Sequence, residues 1–121
     1  MRVELAKTFR FEAAHRLPMV PPEHKCHRLH GHSFAIEVTI EGELDERIGW
    51  LVDFAEIAGV VEPILKRELD HRTLNDVAGL ENPTSERLAI WLWQRLAVEL
   101  SDLTAITVHE TCTARCTYRG R

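Results

Sequence analysis

The sequence predicts an α+β domain in which a four-stranded antiparallel sheet carries two helices on one face. Three observations lead to this prediction. Two long segments of alternating apolar and polar residues open the chain, two segments with apolar residues at helical spacing follow, and shorter alternating segments close it. The elements therefore run strand, strand, helix, helix, strand, strand. A length of 121 residues fits one domain that spans residues 1–121.

The first two strands are the clearest elements. Residues 3–15 alternate in polarity, and the apolar row of this strand ends at His15. Residues 32–43 form the second strand, and its apolar row continues back through His32 to His30. Because residues two apart on a strand point to the same side, we expect all three histidines to face the buried side of the sheet.

Two helices are predicted in the middle of the chain. The first begins at Asp53, which can cap the N-terminus with Glu56 in capping-box spacing, and it ends near residues 70–71. The second starts within residues 82–86 and continues to about Leu100. A single apolar stripe is expected to bury the first helix, and it comprises Phe54, Ile57, Val61, Ile64, Leu65 and Leu69.

Two shorter strands complete the predicted sheet. One covers residues 105–110, a turn follows around 111–114, and the last strand runs to about Arg119. Glu110 shares a face with Val108, and a carboxylate is costly to bury without a partner. We therefore expect Glu110 to hold a cationic or NH-rich ligand, with the alternative that the strand ends at Val108 and Glu110 faces water.

Composition narrows the classes of function. A net charge of -4 argues against a nucleic-acid binder, because such proteins carry a basic excess. No apolar run approaches the roughly 18 residues of a membrane span, and the N-terminus lacks a signal peptide, so a cytoplasmic location is expected. Three cysteines cannot all pair, which favours metal or catalytic roles. Open strand edges favour a homo-oligomer.

The segment from Cys26 to His32 holds the strongest chemical signal. His30 and His32 alternate about Gly31, so one cation can bind both rings, and His15 adds a third imidazole from the neighbouring strand. Three neutral imidazoles with an open fourth position are typical of a catalytic zinc site. A closed structural zinc site, with Cys26 as the fourth ligand, stays as the alternative.

Cys26 and the pair Asp70 and His71 are candidates for proton transfer. Cys26 lies between Lys25 and Arg28, and neighbouring cations make a thiolate more available as a base. The signal from Asp70 and His71 is weaker, because adjacency in sequence does not guarantee contact. A histidine is also favoured at a helix C-terminus by the helix dipole alone.

Several motifs together resemble the 6-pyruvoyltetrahydropterin synthase superfamily over nearly the whole chain. The gap of three residues between Cys26 and His30 is similar to that of the branch that forms 6-carboxytetrahydropterin, whereas the pyruvoyl-forming branch usually has a longer gap. The motifs that carry the resemblance are FEAAHRL at 11–17, CHRLHGH at 26–32, DF at 53–54, LDH at 69–71, LND at 74–76, ENPTSE at 81–86 and ETCTA at 110–114.

The resemblance implies a tunnelling fold, in which ββααββ subunits join edge to edge into barrels that stack head to head, here as a hexamer of two trimers. It also implies a reaction in queuosine biosynthesis. A zinc-dependent lyase would convert 7,8-dihydroneopterin triphosphate to 6-carboxy-5,6,7,8-tetrahydropterin with release of acetaldehyde and triphosphate. Elimination of triphosphate to give a pyruvoyl product is the alternative on the same scaffold, and a non-enzymatic zinc module is a second alternative.

The resemblance also implies roles for the proton-transfer candidates and the metal ligands. Cys26 would move a proton as general base, and His71, oriented by Asp70, would be the second acid or base. Zn²⁺ would chelate the side-chain hydroxyls of the substrate. Its three ligands would be His15, His30 and His32.

Substrate binding is implied at the start of the last turn. Glu110 would accept hydrogen bonds from the ring N–H and exocyclic amine of the pterin, and Thr111 would add a backbone contact. The triphosphate needs basic partners, which the motifs do not single out. Four residues are equal candidates: Arg16, Lys25, Arg28 and Arg115.

Overall fold

The computed structural model describes residues 1–121 and confirms the α+β class. A five-stranded, mostly antiparallel sheet in the order β3-β1-β2-β4-β5 packs against two helices. In chain order the elements are β1 Arg2–His15, β2 His30–Glu43, α1 Phe54–Ile64, β3 Arg72–Thr73, α2 Ser85–Leu96, β4 Leu103–Thr111 and β5 Ala114–Tyr118.

The pair of β1 and β2 is the longest strand pairing in the sheet. The two strands are antiparallel over their full length, with His15 opposite His30 and Phe11 opposite Phe34. Opposite residues project from the same face, and the rings of Phe11 and Phe34 stack with centroids 5.2 Å apart. This register extends the apolar rows directly into the histidines, as the sequence predicted.

The first helix is capped and buried largely as predicted. The Asp53 side chain accepts a hydrogen bond from the Ala55 N–H at 2.9 Å. The predicted stripe is wrong at Phe54, which is 46% exposed because it opens the first turn before the helix meets the sheet. Pro63 lacks an N–H donor, and the chain beyond it forms a wider π-helical turn over Leu65–Leu69.

The second helix is shorter than predicted. Thr84 caps it by accepting a hydrogen bond from the Arg87 N–H at 3.1 Å, and it ends at Leu96 instead of Leu100. Its buried face packs on β4 and β5. That face comprises Leu88, Ala89, Trp91, Leu92 and Leu96. No helix in the structure is both long and apolar enough to cross a membrane.

The sheet differs from the prediction by one short strand. β3 is two residues long and pairs in parallel with β1, with Arg72 opposite Ala13 and Thr73 opposite Ala14. Two residues are too few to show an alternating pattern, so the sequence predicted four strands and no parallel pairing. The extra strand matters for function because it places residue 71 beside β1.

Candidate active site

Three histidines converge where β1 ends and β2 begins. One ligand atom from each of His15, His30 and His32 lies within 4.8 Å of the other two. Two nitrogens bound about 2 Å from one tetrahedral ion lie roughly 3.3 Å apart, so small side-chain shifts suffice to close the set around a cation. The three histidines are therefore positioned to bind a metal ion.

Backbone carbonyls fix the orientation of two of the rings. His15 Nδ1 lies 2.9 Å from the carbonyl of Pro83, and His30 Nδ1 lies 2.7 Å from the carbonyl of Arg28. A carbonyl only accepts, so Nδ1 carries the proton in each ring and Nε2 keeps its lone pair. His15 Nε2 and His32 Nε2 are buried without a hydrogen-bond partner, which fits a bound cation.

Electrostatics keep the buried rings neutral. Burial lowers the pKa of His15 and His32 below the usual histidine range, because it penalises the charged imidazolium. The Glu110 carboxylate acts in the opposite direction on both rings. A neutral imidazole is the form that binds a metal, so the site is prepared for one near neutral pH.

Glu110 turns its carboxylate toward this histidine set. Oε1 lies 3.4 Å from His15 Nε2 and 3.9 Å from His32 Nε2. β4 continues to Thr111, and its register with β5 shifts between His109 and Thr111, so Glu110 sits at a bulge. Because His15 Nε2 is an acceptor, an acceptor oxygen facing it is unfavourable unless a cation or an N–H group lies near them. The half-buried carboxylate thus belongs to the site.

Asp70 and His71 do contact each other. His71 Nδ1 lies 3.0 Å from Asp70 Oδ2, and the other oxygen of Asp70 accepts the Glu12 N–H at 2.9 Å. This backbone N–H, followed by His71, lowers the pKa of the Asp70 carboxyl. The His71 N–H donates back to the Glu12 carbonyl at 2.6 Å, while His71 holds a left-handed φ of 59°. Non-glycine residues rarely adopt that conformation.

A cleft lies between one of the three histidines and His71. His71 and His32 both line it, and its volume is about 460 Å³. Glu12 and Ser33 lie on the same wall, with the Ser33 hydroxyl donating to the Glu12 carboxylate at 2.5 Å. His32, alone of the three histidines, and the exposed imidazole of His71 are therefore open to the same cleft.

Cys26 lies on the loop between β1 and β2. It is half-buried in a short 3-10 turn at Lys25–His27, and its N–H donates to His24 Nδ1 at 3.0 Å. It is not part of the histidine group, which argues against the closed four-ligand alternative. All three cysteines are free, and burial raises the pKa of the Cys116 thiol.

Thr111 lies on the other side of the sheet, the face that Arg115, paired opposite His109, also shares. Its side chain is exposed and lines a separate cleft with His109 and Cys112. Its hydroxyl lies 3.4 Å from that of Thr113 and reaches none of the other candidate residues. The predicted backbone contact between Thr111 and a substrate stays a prediction.

Sequence reasoning missed the groups that orient the candidates. The sequence pattern marks Pro83 only as part of a helix start, yet its carbonyl fixes His15. The backbone of Glu12 holds both Asp70 and His71. Backbone acceptors leave no mark in a side-chain pattern, so only their surrounding motifs, FEAAHRL and ENPTSE, signalled these positions. Asn75, in the LND motif, is a further orienting residue.

These features define an α+β protein with three histidines positioned to bind a metal ion and a separate Asp and His pair in contact with each other. The sequence profile of the 6-pyruvoyl tetrahydropterin synthase family matches residues 4–121. The chain belongs to this family, and the resemblance inferred from its motifs is confirmed.

Individual relatives also support membership of this family, and they bear different names within it. The chain is 41% identical to 6-carboxy-5,6,7,8-tetrahydropterin synthase of Synechocystis sp., over 93% of this chain and 89% of the relative. It is 37% identical to dihydroneopterin monophosphate aldolase of Pyrococcus furiosus, over 83% and 80%. The structure of Caenorhabditis elegans 6-pyruvoyl tetrahydropterin synthase superposes with a TM-score of 0.90 at 30% identity, covering 100% and 97% of the two chains.

Proposed function

We propose that this chain is a zinc-dependent carbon-carbon lyase that converts 7,8-dihydroneopterin triphosphate to 6-carboxy-5,6,7,8-tetrahydropterin, releasing acetaldehyde and triphosphate. The observation that carries the proposal is the three-histidine set, with unpartnered Nε2 atoms on His15 and His32, beside the cleft that His32 and His71 line. The 41% identical Synechocystis relative, which bears the name of this activity, supports the choice of product. The same assignment would give the chain a role in queuosine biosynthesis.

The metal we propose is zinc, held by His15, His30 and His32. An all-imidazole set with three protein ligands leaves a fourth position open, as in catalytic zinc sites. When bound, the ion supplies Lewis acidity that makes the carbon next to a chelated hydroxyl easier to deprotonate. The Pro83 and Arg28 carbonyls would hold two of the rings in the ligating orientation.

Two residues would transfer protons on the substrate side chain. Cys26 would act as general base through its sulfur. His71 would exchange a proton at Nε2, because its Nδ1 is directed to Asp70 and stays protonated. The Asp70 carboxylate would also stabilise the imidazolium while His71 carries the extra proton. Exposure of His71 leaves room for a substrate to approach.

The pterin ring would be bound by Glu110. A carboxylate can accept two hydrogen bonds from adjacent N–H groups, and its position next to the histidines would bring the pterin side chain over the metal. Thr111 would contribute through its backbone. Lys25, Arg28 and Arg115 are exposed cations that could hold the triphosphate.

We also propose the setting in which the reaction takes place. Residues 1–121 would form one domain that acts in the cytoplasm without nucleic-acid or membrane partners. The short edge strands β3 and β5 leave the sheet open at both sides. They would pair with other copies to form a homo-oligomer, a hexamer of stacked trimers, with the barrel arrangement implied by the family resemblance.

Product identity tests the reaction directly. The zinc-loaded protein is incubated with 7,8-dihydroneopterin triphosphate, and acetaldehyde and the pterin product are quantified together. Equal amounts of acetaldehyde and 6-carboxy-5,6,7,8-tetrahydropterin are expected. A pyruvoyl product without acetaldehyde would instead assign the triphosphate elimination.

A second candidate function is favoured by the Pyrococcus furiosus relative, which is named as an aldolase of dihydroneopterin monophosphate. The same assay with the monophosphate distinguishes it. Turnover of the monophosphate with none of the triphosphate would favour aldolase activity. The reverse preference is expected, because exposed Lys25 and Arg28 flank Cys26 and provide charge for a longer phosphate chain.

A further inference from the structure

Arg16 and Asn75 join the segments that carry the proposed catalytic groups. Asn75 Oδ1 accepts the Arg16 N–H at 2.9 Å, and Asn75 Nδ2 donates to the Arg16 carbonyl at 2.8 Å. The same Nδ2 lies 3.4 Å from the Glu81 carbonyl. Arg16 directly follows His15, and Asn75 lies four positions after His71. The end of β1 is therefore held in place by the segment that carries His71.

Arg16 and its neighbour in turn hold the loop that carries Cys26. Arg16 Nε donates to the His27 carbonyl at 3.3 Å, and a terminal guanidinium nitrogen lies 3.3 Å from His27 Nε2. A guanidinium only donates, so His27 Nε2 accepts. The Leu17 N–H donates to the Cys26 carbonyl at 2.8 Å. Two consecutive carbonyls of the loop are thus bound to the residues that follow β1.

We propose that Arg16, whose backbone Asn75 holds, is a positioning residue for the Cys26 thiol in the reaction proposed above, on which this inference rests. In the turn Lys25–His27, Cys26 and His27 are only half-buried, so hydrogen bonds are needed in addition to packing to hold it in place. Apart from the bond from Leu17, the Cys26 backbone makes one hydrogen bond, from its N–H to His24 Nδ1. The bonds from Arg16 and Leu17 are what tie the thiol to the end of β1, next to His15.

This geometry separates Arg16 from the other basic residues near the site. Arg16 is half-buried, and its guanidinium is directed to His27. Lys25, Arg28 and Arg115 are exposed, and their side chains make no hydrogen bond in the structure. Loss of Arg16 should therefore lower kcat by misplacing the base, whereas loss of a phosphate-binding cation should mainly raise KM.

A double-mutant cycle tests the assignment. Arg16→Ala is expected to lower kcat by about tenfold or more, with KM changed by less than about twofold. In a Cys26→Ala background the same substitution should change kcat by less than about twofold, because no thiol remains to be positioned. Equal losses in both backgrounds, or a rise in KM as the main effect, would overturn the proposal.

Thiol alkylation provides a readout that does not depend on turnover. The protein is treated with iodoacetamide, and modification of Cys26 is measured by peptide mass relative to the exposed Cys112. The ratio should rise several-fold in Arg16→Ala, because release of the loop exposes the half-buried thiol. It should not change in Arg87→Ala, a control arginine exposed on α2. An unchanged ratio in Arg16→Ala would overturn the proposal.

These measurements distinguish failure of the inference from failure of the proposed reaction. Wild-type protein without lyase turnover would contradict the reaction, while the alkylation ratio would still report on the loop. Arg16→Lys covers the case in which Arg16→Ala does not fold. It keeps the charge but has one nitrogen for two acceptors on His27, so a smaller change in the same direction is expected in both readouts. Wild-type behaviour in Arg16→Lys would contradict the need for both contacts.

Discussion

The three clustered histidines and the proposed proton-transfer residues are held by different kinds of structure. His15, His30 and His32 lie on strands that pair along their full length, and His15 is 0% exposed. Cys26 lies on a loop, and the side chain of His71 is 78% exposed. Sheet register therefore fixes the ligands, whereas individual side-chain to backbone bonds fix the groups that would move protons.

This difference has a consequence for local stability. The histidine end opens only if β1 and β2 separate, which disrupts the packed core. The segment of His71 lies between the buried core residues Leu69 and Leu74, whereas the Cys26 loop has no fully buried residue in its turn and is held by the bonds of Arg16 and Leu17. Such bonds contribute about 1 kcal/mol each, so the Cys26 loop can open without global unfolding. We expect substrate entry to require local opening of this kind, whereas retention of a metal requires histidines that stay in place.

The largest effect on activity is expected from removing one of the three histidines on β1 and β2. His15→Ala should abolish stoichiometric zinc binding and lower turnover by more than about 10⁴-fold, beyond what one acid or base supplies. The zinc content of the purified variant, measured by mass spectrometry, tests this prediction. His109→Ala is the matched control, because His109 lies on the opposite face and contacts Glu37. Full zinc occupancy in His15→Ala would show that the ligands are misassigned.

Cys26→Ala should have the next largest effect and should act on chemistry alone. We expect kcat to fall by about 10² to 10⁴-fold with zinc content unchanged, because the thiol lies outside the histidine group. Cys112→Ala, at an exposed thiol, should leave both quantities near wild type. Loss of zinc and of stability in Cys26→Ala would instead support the closed structural site.

Two substitutions at His71 separate its chemistry from its backbone. His71→Ala and His71→Gly should both lower kcat by about 10²-fold and keep zinc, since both remove the imidazole. Glycine adopts the φ of 59° without strain, so His71→Gly should be more stable to urea than His71→Ala by about 1 kcal/mol. Equal stabilities would mean that the left-handed conformation is not retained in solution.

The histidine cluster on β1 and β2 was also the part of the site that the sequence could predict. Alternating apolar residues place His15, His30 and His32 on one face, because a strand has a side-chain period of two. The family motifs then identify Cys26, Asp70, His71 and Glu110 as candidates. Both predictions depend on side-chain identity, which a sequence displays directly.

The positions of the proton-transfer residues could not be predicted in the same way. β3 has two residues and no periodicity, yet it brings His71 beside Glu12. The bulge at Glu110 and the bonds of Asn75 to Arg16 depend on backbone groups that every residue possesses. Long-range contacts of this kind follow from the packed fold, so local patterns carry no information about them.

The smallest effect is expected at the carboxylate beside His71, and it depends on pH. The pKa of Asp70 is lowered in the folded protein by the Glu12 N–H and then by His71. A depressed folded pKa stabilises the protein above the unfolded pKa, about 3.9, and this contribution is lost as pH falls through the folded value. Asp70→Asn should therefore be less stable than wild type at pH 7.

The stability difference should narrow as acid protonates Asp70. Urea unfolding of both proteins at pH 7 and at several values below 4 measures it, with Asp76→Asn as a matched control in the same region of the chain. A gap that stays constant with pH would mean that the carboxylate charge does not hold β3 to β1. No gap at any pH would instead mean that the substituted amide oxygen accepts the Glu12 N–H equally well, so that the His71 segment depends on backbone pairing more than on its ion pair.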